Sequence, residues 1–93
     1  MRRKSIIQKE CDNCYICGKA ATEKHHVFGG YNRKFSEKYN VVVYLCAECH
    51  RTGSHAAHRN KNTALYLHQL GQTAFETIYG HDKFMKVFTK NYL

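Results

Sequence analysis

Two cysteine pairs are the residues best placed to do chemistry. Cys14 and Cys17 are separated by two residues, as are Cys46 and Cys49, and 28 residues lie between the two pairs. A two-residue spacing lets the chain turn back so that both sulfurs reach one tetrahedral ion, and four thiolates complete the shell of a structural zinc site. The chain therefore predicts a zinc knuckle, a staple that a 93-residue domain with little core needs in order to fold.

Cys11 offers a competing pair with Cys14 in the run "CDNCYIC". Gly18 directly follows Cys17, and glycine there permits the turn in which backbone N–H groups point at sulfur. We therefore expect Cys14 and Cys17 to be the ligands and Cys11 to be a spare thiol.

Histidines lie between and after the cysteine pairs. "TEKHHVFGG" places His25 and His26 on a short strand, where neighbouring side chains point to opposite faces. His50 directly follows the second cysteine pair, and His55 and His58 come soon after it. Because zinc would hold both ends of the intervening segment, the strand should lie near His50. This predicts a second, open metal site made of one of the paired histidines, His50, and either His55 or His58.

The elements that position these residues are short. "EKHHVF" and "NVVVYLC" have the character of strands and should form a hairpin with a wide loop, in which "YNRKFSEKY" is predicted to be a polar, basic loop. "MRRKSIIQKE" lacks a clear period, so we expect a loosely docked arm over residues 1–13. Residues 14–61 should form the zinc-stapled core.

A helical period begins near residue 62, so residues 62–93 are predicted to be packing helices of the same domain. The first should be capped by Asn62 or Thr63 and end at Gly80, and Asp82 should cap a second helix. The residues expected on one face of the first helix are Ala64, Leu67, Gly71, Ala74, Ile78 and Phe75, and those on the second are Phe84, Val87 and Phe88. The aromatic residues predicted to be core are Tyr66, Phe75, Tyr79, Phe84, Phe88 and Tyr92, and His68 and His81 are read as ordinary helix or turn residues.

Charge is unevenly placed along the chain. Residues 1–61 carry 12 Lys and Arg against 5 Asp and Glu, whereas residues 62–93 carry 3 against 2. Clustered positive charge beside the cysteines and histidines indicates a nucleic-acid partner, although small domains often carry excess charge for solubility alone. The sequence contains no secretory signal and no long apolar run, so we expect a cytoplasmic protein without a membrane partner.

The run "CYICG…TEKHHVFGG…VVVYLCAECHRTG" resembles the HNH, or His-Me finger, endonucleases, whose ββα-metal unit is often built on paired CxxC motifs. More narrowly, the chain from Cys14 to "FTKNYL" is similar to small phage-encoded members that are related to the nuclease domain of the RecA-dependent nuclease Ref. The resemblance implies a small α+β fold, with a treble-clef-like zinc knuckle in a ββα-metal finger and C-terminal helices.

The same resemblance assigns roles to the histidines. His25 and His50 match metal ligands, and His26 matches the general base that deprotonates the attacking water. His58 is favoured over His55 as the third ligand, partly because the small phage proteins carry a histidine there. The middle asparagine of the HNH name should stand where this chain has Val41, so Asn40, one residue earlier, is expected to orient His26 through a bulge, with a backbone carbonyl as the alternative.

These residues predict a metal-dependent DNA endonuclease that hydrolyses phosphodiester bonds with one catalytic divalent ion, Mg²⁺, Mn²⁺, Ni²⁺ or Zn²⁺, beside the structural Zn²⁺. A recombination or packaging protein such as RecA is an expected partner, in the host cytoplasm if the protein is phage-encoded. The alternatives are a non-catalytic zinc-finger module that binds nucleic acid or a partner protein, and a small structural zinc ribbon. Residues expected to contact phosphates are Lys24, Arg33, Lys34, Lys38, Arg51 and Arg59.

Overall fold

A two-stranded antiparallel sheet is surrounded by helices in an α+β arrangement. The computed structural model describes residues 3–93, and the first two residues of the predicted N-terminal arm lie outside that range. Strand β1 spans Glu23–His26 and pairs with strand β2, Val42–Leu45, in a register that sets His25 opposite Val43. The predicted hairpin with a wide connection is confirmed.

Strand β2 is buried on both faces. Val43 and Leu45 belong to the main hydrophobic core, whereas Val42 and Tyr44 lie in a second, smaller cluster with Ala21. A strand covered on both sides reads as a continuous apolar run rather than as an alternation, which is the pattern "VVVYL" shows.

The connection between the strands holds helix α1, Arg33–Tyr39, after a single 3-10 turn at Gly30–Asn32. The prediction of a loop here was wrong. Short helices gain most of their stability from tertiary contacts, and α1 is held by the fully buried Ser36, whose hydroxyl donates to the carbonyl of Phe28 (2.9 Å) and accepts from its N–H (3.0 Å). The helix ends at Asn40, which has a left-handed backbone with φ of 57°.

Residues 3–13 dock onto strand β2, so the expectation of a loosely held arm was wrong for this range. The N–H of Ile6 donates to the carbonyl of Asn40 (3.0 Å), and the buried side chain of Gln8 accepts from the N–H of Tyr44 (2.7 Å). The hydroxyl of Ser5 also donates to the carbonyl of Val42. Polar side chains thus satisfy backbone groups of the strand, which an apolar period does not reveal.

Two helices complete the chain, α2 over Lys61–Tyr79 and α3 over His81–Phe88. The cap of α2 is Asn60 rather than Asn62 or Thr63, because its side chain accepts from the N–H groups of both residues. Gly80 ends α2 as predicted, with φ of +89°. Helix α3 starts before Asp82, which therefore lies in its first turn instead of capping it.

The buried residues of α2 are Leu67, Gly71, Gln72 and Phe75. Ile78, predicted on the buried face, is 56% exposed. At Gly71 the helix approaches the hairpin so closely that an added Cβ would lie 2.9 Å from a methyl group of Val27. This contact fixes the distance between α2 and the hairpin.

Of the aromatic residues predicted to be core, Phe75, Phe84 and Phe88 are buried and lie in contact with one another. Tyr66 and Tyr79 are exposed, so the prediction was wrong for both. No helix within residues 3–93 is long and apolar enough to cross a lipid bilayer.

Candidate metal centres and the adjoining basic cleft

The four cysteines predicted to bind zinc come together in the fold. The sulfur atoms of Cys14, Cys17, Cys46 and Cys49 all lie within 4.8 Å of one another. Four thiolates at this separation can hold a structural metal ion such as zinc.

The first cysteine pair lies on a tight turn closed by Gly18, whose backbone φ of +82° is one that residues other than glycine rarely adopt. The N–H of Gly18 donates to the carbonyl of Cys14 (2.9 Å). Burial raises the pKa of the Cys14 thiol, but N–H groups of Cys17, Cys46 and Ile16 pointing at its sulfur outweigh this effect and lower the pKa to about 6. At Cys14 these N–H groups therefore favour the thiolate, the form that binds metal.

Cys11 lies outside this group, as predicted for a spare thiol. It packs against the second hydrophobic cluster, and its sulfur lies 3.4 Å from the carbonyl oxygen of Gln8. Burial raises the pKa of the Cys11 thiol, which favours the protonated form.

Three of the predicted ligand histidines form a second cluster next to the thiolates. The ligand atoms of His25, His50 and His58 lie within 4.8 Å of one another, and the Nε2 atoms of His50 and His58 are 3.0 Å apart. His50 lies in a short π-helical turn, Glu48–Thr52, in which its N–H donates to the carbonyl of Cys46 (3.0 Å). Cys49 and His50, one member of each cluster, thus lie side by side on the same turn.

His55, the alternative third ligand, lies elsewhere. Its Nε2 is 3.3 Å from the sulfur of Cys49, so it contacts the thiolate group rather than the histidine cluster. A backbone hydrogen bond accounts for the difference between His55 and His58. The N–H of His58 donates to the carbonyl of His50 (3.1 Å), which brings His58, but not His55, close to the His50 ring.

The histidine cluster is better suited to binding a metal cation than to being protonated. Burial, with further contributions from His50 and His58, lowers the pKa of His25 to about 3. Burial also lowers the pKa of His58. These rings therefore stay neutral at physiological pH and keep the lone pairs with which imidazole binds divalent transition metals.

Glu23 is a site residue that sequence reasoning missed. Its Oε1 accepts a hydrogen bond from Nδ1 of His50 (2.5 Å), which leaves Nε2 of His50 facing the cluster. A carboxylate on the second nitrogen is the usual partner of a metal-binding histidine. The available signal was its position two residues before His25, on the same face of β1.

His26 projects from the opposite face of β1 into a shallow cleft of about 440 Å³ between the hairpin and α1. Its Nε2 lies 2.7 Å from Oε1 of Glu37, and its Nδ1 accepts from Nε of Arg33 (3.4 Å). The expectation that Asn40 or a backbone carbonyl orients His26 was wrong, because within residues 3–93 its ring hydrogen-bonds to these two side chains. Asn40 faces the N-terminal arm instead.

The residues predicted to contact phosphates lie in different places. Arg33 and Lys34 line the cleft with His26 and Tyr31. Nζ of Lys24 lies 3.1 Å from each carboxylate oxygen of Glu37, which also lines the cleft. The others lie apart from the cleft lining. Nζ of Lys38 lies 5.4 Å from the ring centre of Tyr39, Nε of Arg51 lies 3.7 Å from Glu23, and Arg59 donates to the carbonyl of Thr52 (2.8 Å).

Comparisons of the chain with protein-family models, with curated proteins and with solved structures gave no match.

Proposed function

We propose that the protein is a metal-dependent DNA endonuclease of the HNH, or His-Me finger, type, and that residues 14–61 form its treble-clef-like ββα-metal finger. The observation that carries this proposal is the position of His26. It directly follows His25, a member of a three-histidine cluster able to hold a divalent ion, and it opens into a cleft whose charged lining residues are Arg33, Lys34 and Glu37.

Two different ions fit the two clusters. The four cysteines suit a structural Zn²⁺ with a closed shell, whereas three histidines leave a coordination position open and suit a catalytic Mg²⁺, Mn²⁺, Ni²⁺ or Zn²⁺. When bound, such an ion offsets negative charge on the phosphate and on the departing oxygen. Glu23 serves this site by holding the ring of His50 in place.

The residues of the chain divide the hydrolysis between them. His26 takes a proton from water as the water oxygen forms its bond to phosphorus. The bond from phosphorus to the 3′ oxygen then breaks, and the departing oxygen takes a proton from solvent, so one water is consumed per cut. Consecutive Cα atoms lie about 3.8 Å apart, and adjacent positions on β1 therefore bring the base and the ligand His25 to the same end of the strand.

The DNA backbone is the expected ligand of the cationic side chains. Arg33 and Lys34 in the cleft are suited to phosphates, as is Arg51 close to the histidine cluster. Contacts of this kind position a duplex without reading its sequence, so we expect weak or no sequence specificity. The resemblance to a RecA-dependent phage nuclease extends the proposal to a recombination protein as partner, in the host cytoplasm.

The test is plasmid nicking by zinc-loaded protein with Mg²⁺, Mn²⁺ or Ni²⁺ added, comparing wild type with His26→Ala. His81→Ala is the matched control, because it also removes an imidazole with a carboxylate partner, Glu76, but lies outside both clusters. Circular dichroism and zinc content establish that each variant is folded.

We expect wild type and His81→Ala to nick the plasmid and His26→Ala to lose about 10²-fold or more in rate, the usual contribution of a general base. Nicking at the wild-type rate by His26→Ala would refute its assigned role. If no form cuts in any metal, alone or with RecA, and all bind DNA equally, the chain is the non-catalytic zinc-finger module instead.

A further inference from the structure

The ring of His26 is held from two sides, and the two partners differ in kind. The carboxylate of Glu37 can only accept a hydrogen bond, so the Nε2 atom 2.7 Å away must carry the hydrogen. The guanidinium of Arg33 can only donate, so the Nδ1 atom 3.4 Å from its Nε must carry the lone pair. Both contacts favour the same neutral form of the ring, with hydrogen on Nε2, and the shorter contact, to Glu37, is the stronger of the two.

We propose that Glu37 is the positioning residue of His26, and that Nδ1 is the nitrogen that accepts the proton of the attacking water. For the catalytic part, this inference rests on the proposed endonuclease function. The assignment of the ring hydrogen does not depend on it.

Glu37 is well placed to hold the ring still. It lies on α1, whose neighbouring Ser36 is fully buried and bonded to the backbone of Phe28 just beyond β1. Nζ of Lys24, from the same strand face as His26, lies 3.1 Å from both oxygens of the Glu37 carboxylate. The position of Glu37 on α1 and its contacts with Lys24 on β1 thus hold the carboxylate in place, and the carboxylate in turn holds the imidazole of His26.

Nε of Arg33 donates to the proposed base atom, so a role for Nδ1 as the base requires Arg33 to release it. A guanidinium hydrogen-bonds more strongly to an anionic phosphate than to a neutral imidazole, and Arg33 and Lys34 line the same cleft, where a phosphate would compete for Arg33.

The direct test is two-bond proton–nitrogen correlation NMR on isotope-labelled, zinc-loaded protein at mildly alkaline pH, which reports which ring nitrogen carries the hydrogen. The His26 signals are assigned by their loss in His26→Gln. The variants are Glu37→Ala, Glu37→Gln and Arg33→Ala. Glu10→Gln removes an exposed carboxylate that is not among the residues lining the cleft of His26, and serves as the matched control.

We expect hydrogen on Nε2 in wild type, Arg33→Ala and the Glu10 control, and a mixture of both forms in Glu37→Ala. Glu37→Gln should keep hydrogen on Nε2, because its amide oxygen still accepts from the ring. Hydrogen on Nδ1 in wild type, or an unchanged spectrum in Glu37→Ala, would overturn the inference whether or not the protein cuts DNA.

Kinetics of plasmid nicking separate positioning from binding. Glu37→Ala should lower kcat about 10-fold or more and leave KM for DNA unchanged. The loss should not exceed the about 10²–10⁴-fold that the general base itself supplies. Glu37→Gln should recover most of that loss. A fall confined to KM, or equal losses in both variants, would contradict a positioning role. If nicking is absent in wild type, only the endonuclease proposal fails, and the NMR result still decides which nitrogen Glu37 holds.

Discussion

Replacement of Glu23 by alanine should weaken divalent metal binding at the histidine cluster without affecting the cysteines. Glu23 holds Nδ1 of His50, whose side chain is only 4% exposed, through a hydrogen bond of 2.5 Å. Loss of such an outer partner of a metal-binding histidine typically lowers affinity 10- to 100-fold. This corresponds to about 1.4–2.7 kcal/mol of binding free energy.

The size of the loss in metal affinity distinguishes a role of Glu23 in positioning His50 from a general effect of its negative charge. Glu23 is half-buried and its partner ring is only 4% exposed, so its removal takes away both a nearby charge and the hydrogen bond to His50. Loss of a fully exposed charge away from the site changes affinity by only about 0.2–1 kcal/mol, up to about fivefold. A loss of tenfold or more in Glu23→Ala alone therefore indicates a role specific to the contact with His50.

The assay is calorimetric titration of Co²⁺ into protein whose cysteines already hold zinc, so that only the histidine cluster is measured. Glu10→Ala controls for loss of one negative charge, and Arg51→Ala removes the other partner of Glu23, 3.7 Å away. Both should bind Co²⁺ within about threefold of wild type, as expected when only exposed charges change. Unchanged affinity in Glu23→Ala, or an equal loss in Glu10→Ala, would refute the reasoning.

Three further predictions concern stability. Gly71→Ala should lower the free energy of unfolding in urea by about 1–3 kcal/mol, because the new methyl group meets Val27 at 2.9 Å. Gly29→Ala, where nothing lies within 4 Å, should change it by less than about 0.5 kcal/mol, and equal effects would contradict the close contact. Cys46→Ser, or removal of zinc by a chelator, should abolish the folded circular dichroism spectrum at moderate temperature, and retention of that spectrum would show that the ion is not needed for folding. The depressed pKa of His25, about 3 against 6.5 when unfolded, means that the unfolded chain binds more protons between these values. With the histidine cluster metal-free, the stability from His25 should therefore be complete above about pH 6.5 and be lost as pH falls toward 3. His25→Gln should flatten that part of a pH series of urea titrations, and an unchanged profile would show that other groups cause it.

The cysteine cluster could be predicted from the sequence because its information is local. Two residues between thiols and a glycine after Cys17 specify a turn, and paired turns specify one ion. A meeting of His50 with one of the paired histidines followed from the same reasoning, since a zinc site at both ends of a segment brings its middle close, whereas the choice of His25 rested on the resemblance. The choice of His58 over His55 rested on resemblance, and the structure supplies the physical reason in the backbone hydrogen bond from His58 to His50.

Contacts formed only by the tertiary fold could not be predicted. Helix α1 depends on the buried Ser36 and its bonds to Phe28, so the run "YNRKFSEKY" looked like a loop. A loop in this segment gives no reason for Glu37 to reach His26. Asn40 stands next to a motif position in the sequence, but its left-handed backbone at the end of α1 turns it toward the N-terminal arm.

The number of metal ions per chain tests the central claim most directly, because the account requires two separate sites, one of thiolates and one of imidazoles. Native mass spectrometry of protein loaded with Zn²⁺ should show two ions in wild type and one in His50→Ala, with both chains folded. A single ion in wild type under saturating Zn²⁺, or two ions retained by His50→Ala, would contradict a metal site at the histidine cluster and with it the basis of the proposed nuclease.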